Sequence, residues 1–562
     1  MQKKDYEYDA IVVGSGISGG WAAKELSEKG LKTLVLERGR NVEHIRDYPT
    51  TNMNPWDFMN RGKVSVEEEQ DYLMQSTTYA FNEATKHFFV NDRENPYRIE
   101  EGQPFSWIRG YHVGGRSLTW GRQCYRLSDL DFEANAKEGV GVDWPIRYRD
   151  LEPWYDYVET FVGISGSAEG LPQLPDGKFL PPMEMNCIEQ KIKGAIEGNF
   201  PGRNMIIGRT ANLTQQHNGR GPCQYRNLCN RGCPYGGYFS SNAATLPAAA
   251  KTGNMTLRPF SIVHSVVYDE QTGKATGVRI IDAETNETTE FTAKVIFLCA
   301  SALGSTQILM NSTSDRFPEG IGGESGALGH YLMDHPFQAG AMAVFEDDLD
   351  KYYVGSRPNG IYVPRFRNVN DKHPDFLRGY GMQGGATRVN WRQGNQMPGF
   401  GAEFKEALTT PGPWSMYLGG WGECLPYEDN KIELNEDVRD KWGLPTLKIS
   451  CTFRENEQAM RQDMQDTAIE MLEAAGAADI QPLMSDPVPG LCIHEMGTAR
   501  MGRDPKSSVL NGHNQCHDAP NVFVTDGACM ASSACQNPSL TYMALTARAC
   551  DFAVNELKKN NL

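Results

Sequence analysis

Three cysteines, Cys223, Cys229 and Cys233, follow one another as Cys-x5-Cys-x3-Cys, with Pro234 directly after the last. Close Cys spacing ending in proline is a local pattern of iron–sulfur ligation, in which thiolates hold iron and sulfide. Such a group would give a redox enzyme a one-electron exit. The spacing is looser than the Cys-x2-Cys ladders of ferredoxins, and three ligands suit a three-iron cluster better than a four-iron one. The same residues also fit zinc, which takes four ligands and would draw on His217 as the fourth. They further fit a disulfide with one spare thiol, or three unrelated cysteines.

A second set of residues is spaced for a dinucleotide. Gly14-x-Gly16-x-x-Gly19 follows a short β-branched apolar run, and Glu37 ends a second run at residues 33–36. Gly14 permits the tight turn, Gly16 lets the backbone approach a pyrophosphate, and Gly19 lets the helix pack on the strand. The intervening helix, expected at residues 21–29, turns its N-terminus toward the phosphates. Glu37, some twenty residues on, is placed for the adenosine ribose hydroxyls. The glycines do not separate FAD from NAD. Arg38 immediately after the acid and the early placement in the chain favour FAD.

These groups must be held by more than one core. The 562 residues exceed the roughly 250–300 at which a single core stops growing. A formal charge of −16 and a pI near 5.3 argue against nucleic acid or an anionic membrane as partner. The opening residues run into a strand with no long apolar segment and no small-residue cleavage site, so no export signal is expected. No window approaches the roughly 18 uninterrupted apolar residues of a membrane span. The ten cysteines outside the close-spaced group sit singly, mostly in apolar surroundings, and read as reduced packing thiols.

Further blocks carry a family likeness. They are Val113-Gly-Gly-Arg-Ser-Leu-Thr-Trp-Gly121, the segment from Gly326 to Asp334-His335-Pro336, and His494-Glu-Met-Gly-Thr-Ala-Arg-Met-Gly502. Asn521-Val-Phe-Val-Thr-Asp-Gly527 and Cys535-Gln-Asn-Pro-Ser-Leu-Thr-Tyr-Met-Ala-Leu545 complete the set. With the N-terminal glycines, they make the chain resemble the glucose-methanol-choline (GMC) flavin oxidoreductases over nearly its whole length. Its nearest resemblance within them is to bacterial iron–sulfur-containing sugar dehydrogenase subunits such as glucoside 3-dehydrogenases.

The resemblance implies an α/β fold, α+β overall, in which a discontinuous Rossmann-like FAD domain carries an antiparallel substrate domain. It implies His494 as the base that takes the hydroxyl proton and Asn537 as the group that orients the substrate oxygen. A histidine near its ordinary pKa of about 6.5 suits that task. Taken singly, His494 also fits a satisfied core histidine, and Asn537 a helix N-cap. His330 and His335 read as structural.

Cofactor contacts are expected from Gly114, Gly115 and Ser117, from Asp526 and Gly527, and from Val263 in the β-type run 261–268. Where several family members attach the flavin covalently through a histidine, this chain has Thr119, so FAD is expected to be non-covalent. By the same resemblance, Cys223, Cys229 and Cys233 hold a [3Fe-4S] cluster. A small export-escort subunit and a c-type cytochrome are then the expected partners, and the periplasm, or alternatively the cytoplasm, the location.

The expected units are 1–165 (FAD domain, with 45–105 a lid or subunit contact), 166–240 (cysteine-rich insertion) and 241–330 (FAD domain). Residues 331–480 form the substrate domain, and 481–562 return to the FAD domain with the catalytic residues. Trp414, Tyr417 and Trp421 fit either stacking on a sugar ring or ordinary packing. The expected function is FAD-dependent dehydrogenation of a sugar or glycoside hydroxyl, C3 of a glucoside among the choices. An oxygen-reducing alcohol or sugar oxidase without a cluster is the alternative within the class. A non-catalytic FAD-fold subunit is the alternative outside it, and the intact His494 and Asn537 speak against it.

Overall fold

The computed structural model describes residues 6–389 and 397–562. Residues 1–5, part of the opening read above for an export signal, and 390–396, inside the expected substrate domain, lie outside that set.

The apolar runs around the first glycines are buried on both faces, as strands of a parallel sheet must be. Tyr8–Val13 lies between Thr33–Leu36 and Thr288–Leu298, with Val12 opposite both Val35 and Phe297. Met255–Arg258 extends the sheet beyond Thr33–Leu36, and Val522–Val524 extends it beyond Thr288–Leu298. Distant parts of the chain thus meet in one parallel sheet. The first half of Thr288–Leu298 instead pairs antiparallel with Lys274–Asp282, which pairs in turn with Ser261–Asp269.

Helix Ile17–Glu28 packs against Ser539–Lys558 and Thr245–Lys251. It starts four residues earlier than its expected first residue, because Gly16 takes the N-cap position. The C-terminal helix, Ser539–Lys558, keeps Cys550, Ala553 and Val554 buried along its last turns.

A second, six-stranded antiparallel sheet has the spatial order Asp479–Met484, Ala339–Phe345, Trp414–Gly422, Tyr380–Arg388, Ile361–Val363 and Ile206–Ile207. Its core includes Met460, Met464 and Met471 of helix Glu455–Ala474 together with Ile188, Ile192 and Ile196 of Cys187–Asn199. This last helix and Ile206–Ile207 belong to the stretch expected as a cysteine-rich insertion. Isoleucines at i, i+4 and i+8 need an apolar partner, and the substrate sheet supplies it. No helix among the described residues is long and apolar enough to cross a membrane.

Candidate active site

Between the two sheets lies a cavity of about 670 Å³ whose walls include Gly16, Glu37, Ser117, Asp526, His494 and Asn537. The three glycines meet two separate needs. A Cβ on Gly14, which has φ +93°, would come within 2.4 Å of the Cys299 carbonyl oxygen, and one on Gly19 within 2.0 Å of the Gly14 carbonyl oxygen. These two are close-packing glycines. A Cβ on Gly16 would meet nothing within 4 Å, so that position is open toward the cavity, as a pyrophosphate cradle requires.

Glu37 is buried and accepts from Ser15 Oγ (2.5 Å), Ser15 N (3.2 Å) and Gly39 N (3.0 Å). Burial pushes its carboxyl above the usual range. Arg38 donates to Asp440 (3.1 Å) and leaves its buried Nε without a partner.

The loop at 113–121 enters the cavity on glycines that no other residue could replace cheaply. Gly114 has φ +89°, and a Cβ there would collide with the Asn242 side chain. Ser117 Oγ donates to the Gly114 carbonyl and accepts from Ser241 N (3.0 Å), which fixes the 3₁₀ turn Gly115–Leu118. Thr119 and Val263 also line the cavity. Asp526 accepts from Ser305 Oγ (2.5 Å) and Ala528 N (3.0 Å), and burial raises it to about 6. The open Gly16, the acid at 37 and the glycine loop fit a flavin dinucleotide.

His494 and Asn537 are brought together across the cavity wall, with Asn537 Nδ2 3.5 Å from His494 Nε2. Asn537 does not cap the following helix, whose N-cap is Pro538. Its Oδ1 accepts from Gln383 Nε2 at 2.8 Å, which fixes Nδ2 as the face turned to His494.

His335, read above as structural, contributes directly to the state of His494. Its Nε2 lies 3.3 Å from the Ser533 carbonyl, an acceptor only, so the ring proton sits on Nε2. Burial lowers His335 to about 4, leaving it neutral with a lone pair on Nδ1. His494 Nδ1, 3.0 Å away, must then donate. That leaves His494 Nε2 unprotonated and turned to Asn537, the tautomer a general base needs. Burial, His335 and Arg116 hold His494 well below 6.5; the expectation of an ordinary pKa is thereby corrected. Asp334 accepts from the backbone N–H groups of Gly490, Cys492 and His494 and so shapes the loop that presents the base. A two-bond pair from Arg116 to Glu495 (3.1 and 2.9 Å) ties that loop to the 113–121 loop.

His335, Asp334 and Gln383 escaped the sequence reading as active-site groups. The Asp334-His335-Pro336 block was visible as a motif, whereas nothing near Gln383 pointed to Asn537. His330 bonds the Glu428 backbone carbonyl at 2.8 Å and, among the described residues, no cavity side chain. Of the aromatic trio, Trp421 lines the cavity. Trp414 is an odd number of residues along the same strand, so it faces the opposite side and is buried in the second core.

The cysteine segment sits behind the 113–121 loop, and 3₁₀ turn Cys229–Arg231 packs on Gly115–Leu118. Cys223, Cys229 and Cys233 are all half-buried free thiols. Backbone N–H groups of Tyr225 and Gly237 donate to Cys223 Sγ (3.4 Å) and Cys233 Sγ (3.3 Å). Such N–H···S contacts are what a thiolate-held cluster uses to spread its charge. His217 is engaged elsewhere, its Nε2 2.8 Å from the Thr160 carbonyl, which argues against it as a zinc ligand.

Residues 8–337 match the N-terminal and residues 426–546 the C-terminal family model described as GMC oxidoreductase. The chain is 27% identical to 2-methyl-1,2-propanediol dehydrogenase of Mycolicibacterium austroafricanum, over 97% of this chain and 94% of that one. It is 25% identical to the fructose dehydrogenase large subunit of Gluconobacter japonicus, over 100% of both. The crystal structure of pyridoxine 4-oxidase from Mesorbium loti shares the fold, with a TM-score of 0.59 at 15% identity over 97% of this chain and 98% of that one. The chain belongs to the GMC oxidoreductase family and is an FAD-dependent oxidoreductase acting on CH–OH groups.

Proposed function

We propose that the protein is a dehydrogenase of a sugar or glycoside hydroxyl, C3 of a glucoside among the candidate positions, and that its electrons leave through a cluster on Cys223, Cys229 and Cys233. The observation that carries this reading is a juxtaposition. A base with a free Nε2 and an amide beside it line the cavity, and three half-buried thiols pack behind the loop that enters it.

FAD, when bound, supplies the hydride acceptor, and a [3Fe-4S] cluster, when bound, supplies a one-electron exit. Asn537 Nδ2 and His494 Nε2 converge on one substrate hydroxyl. His494 Nε2 takes its proton, and Asn537 holds the oxygen that becomes a carbonyl. Thr119 offers no imidazole for a covalent link, which supports non-covalent FAD. Trp421 gives the cavity an aromatic face for the sugar ring.

A c-type cytochrome as acceptor and a small subunit that carries the export signal are the proposed partners, which places the enzyme in the periplasm. One relative is named as a large subunit, which supports a multi-subunit assembly. The test is metal, sulfide and flavin analysis of the purified protein with electron paramagnetic resonance (EPR). Iron, acid-labile sulfide and acid-releasable FAD should copurify. Protein that contains FAD but no iron, and that releases hydrogen peroxide in air, would instead be an oxidase without a cluster.

A further inference from the structure

Of the two ring nitrogens of His494, Nε2 is the one that meets Asn537. The other, Nδ1, belongs to a knot of three donor atoms: His335 Nδ1 lies 3.0 Å from it and Cys492 Sγ 3.4 Å. One ligand atom from each of the three residues lies within 4.8 Å of the other two. His335 and Cys492 are buried, and Cys492 and His494 both line the cavity.

Two imidazoles and a thiolate suit zinc, which binds histidine nitrogen and cysteine sulfur together and accepts three protein donors with water as the fourth. Bonds of about 2.0–2.1 Å to nitrogen and 2.3 Å to sulfur set neighbouring donors of a tetrahedral centre about 3.3–3.6 Å apart. The 3.0 and 3.4 Å separations fall within a few tenths of an ångström of that span, so little movement is needed. The lone pairs are also in place. His335 donates from Nε2 to the Ser533 carbonyl (3.3 Å), which leaves its Nδ1 with no proton to displace. Asp334 accepts from the backbone N–H groups of Cys492 (3.2 Å) and His494 (3.1 Å), so one carboxyl anchors the loop that carries both other donors. Between them, Ile493 takes φ +67°, a left-handed conformation that a β-branched residue rarely adopts.

We propose that His335 Nδ1, Cys492 Sγ and His494 Nδ1 form an inhibitory zinc site; the inhibition, though not the binding, rests on His494 as the base of the reading above. Binding releases the Cys492 thiol proton to solvent. It also moves the His494 proton from Nδ1 to Nε2, because the metal takes the Nδ1 lone pair. Nε2 then carries a hydrogen and cannot accept one from the substrate hydroxyl. The ring keeps its place beside Asn537, so the sugar still enters and proton removal is the step that fails.

The test adds one equivalent of zinc to the whole FAD-containing enzyme, as wild type and C492S, and reads the X-ray absorption fine structure of the metal. Wild type should show two nitrogens at about 2.0–2.1 Å and one sulfur at about 2.3 Å. A shell of three sulfurs would place the zinc in the cysteine segment, and a shell with no sulfur would place it elsewhere; either overturns the site. C492S should bind zinc about tenfold or more weakly, and equal affinity overturns the site too. If C492S does not fold, the wild-type shell decides alone.

The inhibition is read from anaerobic flavin bleaching by a glucoside. At saturating sugar, zinc should slow wild type by about 10²-fold or more, with the half-saturating sugar concentration unchanged and full recovery on adding EDTA. Zinc that raises the half-saturating concentration without lowering the limiting rate would lie in the sugar's place and overturn the tautomer account. The expected zinc shell in an enzyme whose flavin no glucoside bleaches would sink the sugar reading and leave the metal site standing.

Discussion

In the proposed mechanism His494 is the base, and its neighbours suit it to that task. His335, neutral and fixed by the Ser533 carbonyl, accepts the Nδ1 proton and leaves Nε2 free. His494→Ala should cut kcat by about 10²–10⁴-fold, the usual worth of a general base, with FAD content unchanged. His335→Leu should lower kcat by about tenfold or more with little change in KM, because it removes the acceptor that selects the tautomer. Since burial depresses the His494 pKa, the ring is neutral above 6.5 and would gain its proton only at lower pH. ¹⁵N-histidine spectra, assigned with His494→Ala, should show no titration of this ring between pH 6.5 and 8; a midpoint inside that window would contradict the assignment. His494 and Asn537 stood out in the sequence because each lies in a family block, His494 at the start of one and Asn537 third in the other. His335 and Gln383 act on them from 159 and 154 residues away, a pairing that only the folded sheets create.

The glycine turn is the element on which cofactor binding depends, and its three glycines should fail in different ways. Gly16→Ala adds a methyl to open space, so thermal unfolding of the flavin-free protein should barely change while FAD affinity falls. Gly19→Ala drives a methyl into the Gly14 carbonyl, so it should lower the melting temperature of the flavin-free protein as well. Equal melting temperatures for the two variants would refute this division of labour. The strand, turn and acid of this element were readable from β-branched runs and spacing. Its helix start was placed late, because Ile17 to Gly20 look like loop until the Gly16 cap is seen. Helix Cys187–Asn199 falls in the stretch expected as a cysteine-rich insertion, yet packs with the second sheet: its isoleucine stripe announces a core without saying which one.

Across the whole molecule, a parallel sheet gathered from distant parts of the chain and an antiparallel sheet flank a cavity, and the cysteine segment packs behind the loop that lines it. The discontinuity was legible because dinucleotide motifs appear at both ends of the sequence. The packing of the cysteine segment behind the 113–121 loop was not, because the two stretches lie about a hundred residues apart and meet only in the fold. On the proposed reading, the cavity and the cysteine segment form one electron path. The most direct test is anaerobic mixing of the purified enzyme with a glucoside, following flavin absorbance and the EPR spectrum together, in wild type and Cys223→Ser. Wild type should bleach its flavin and change its iron signal, while Cys223→Ser should bleach with the iron signal lost. Flavin bleaching in wild type beside an iron signal that never responds to the sugar would contradict the account.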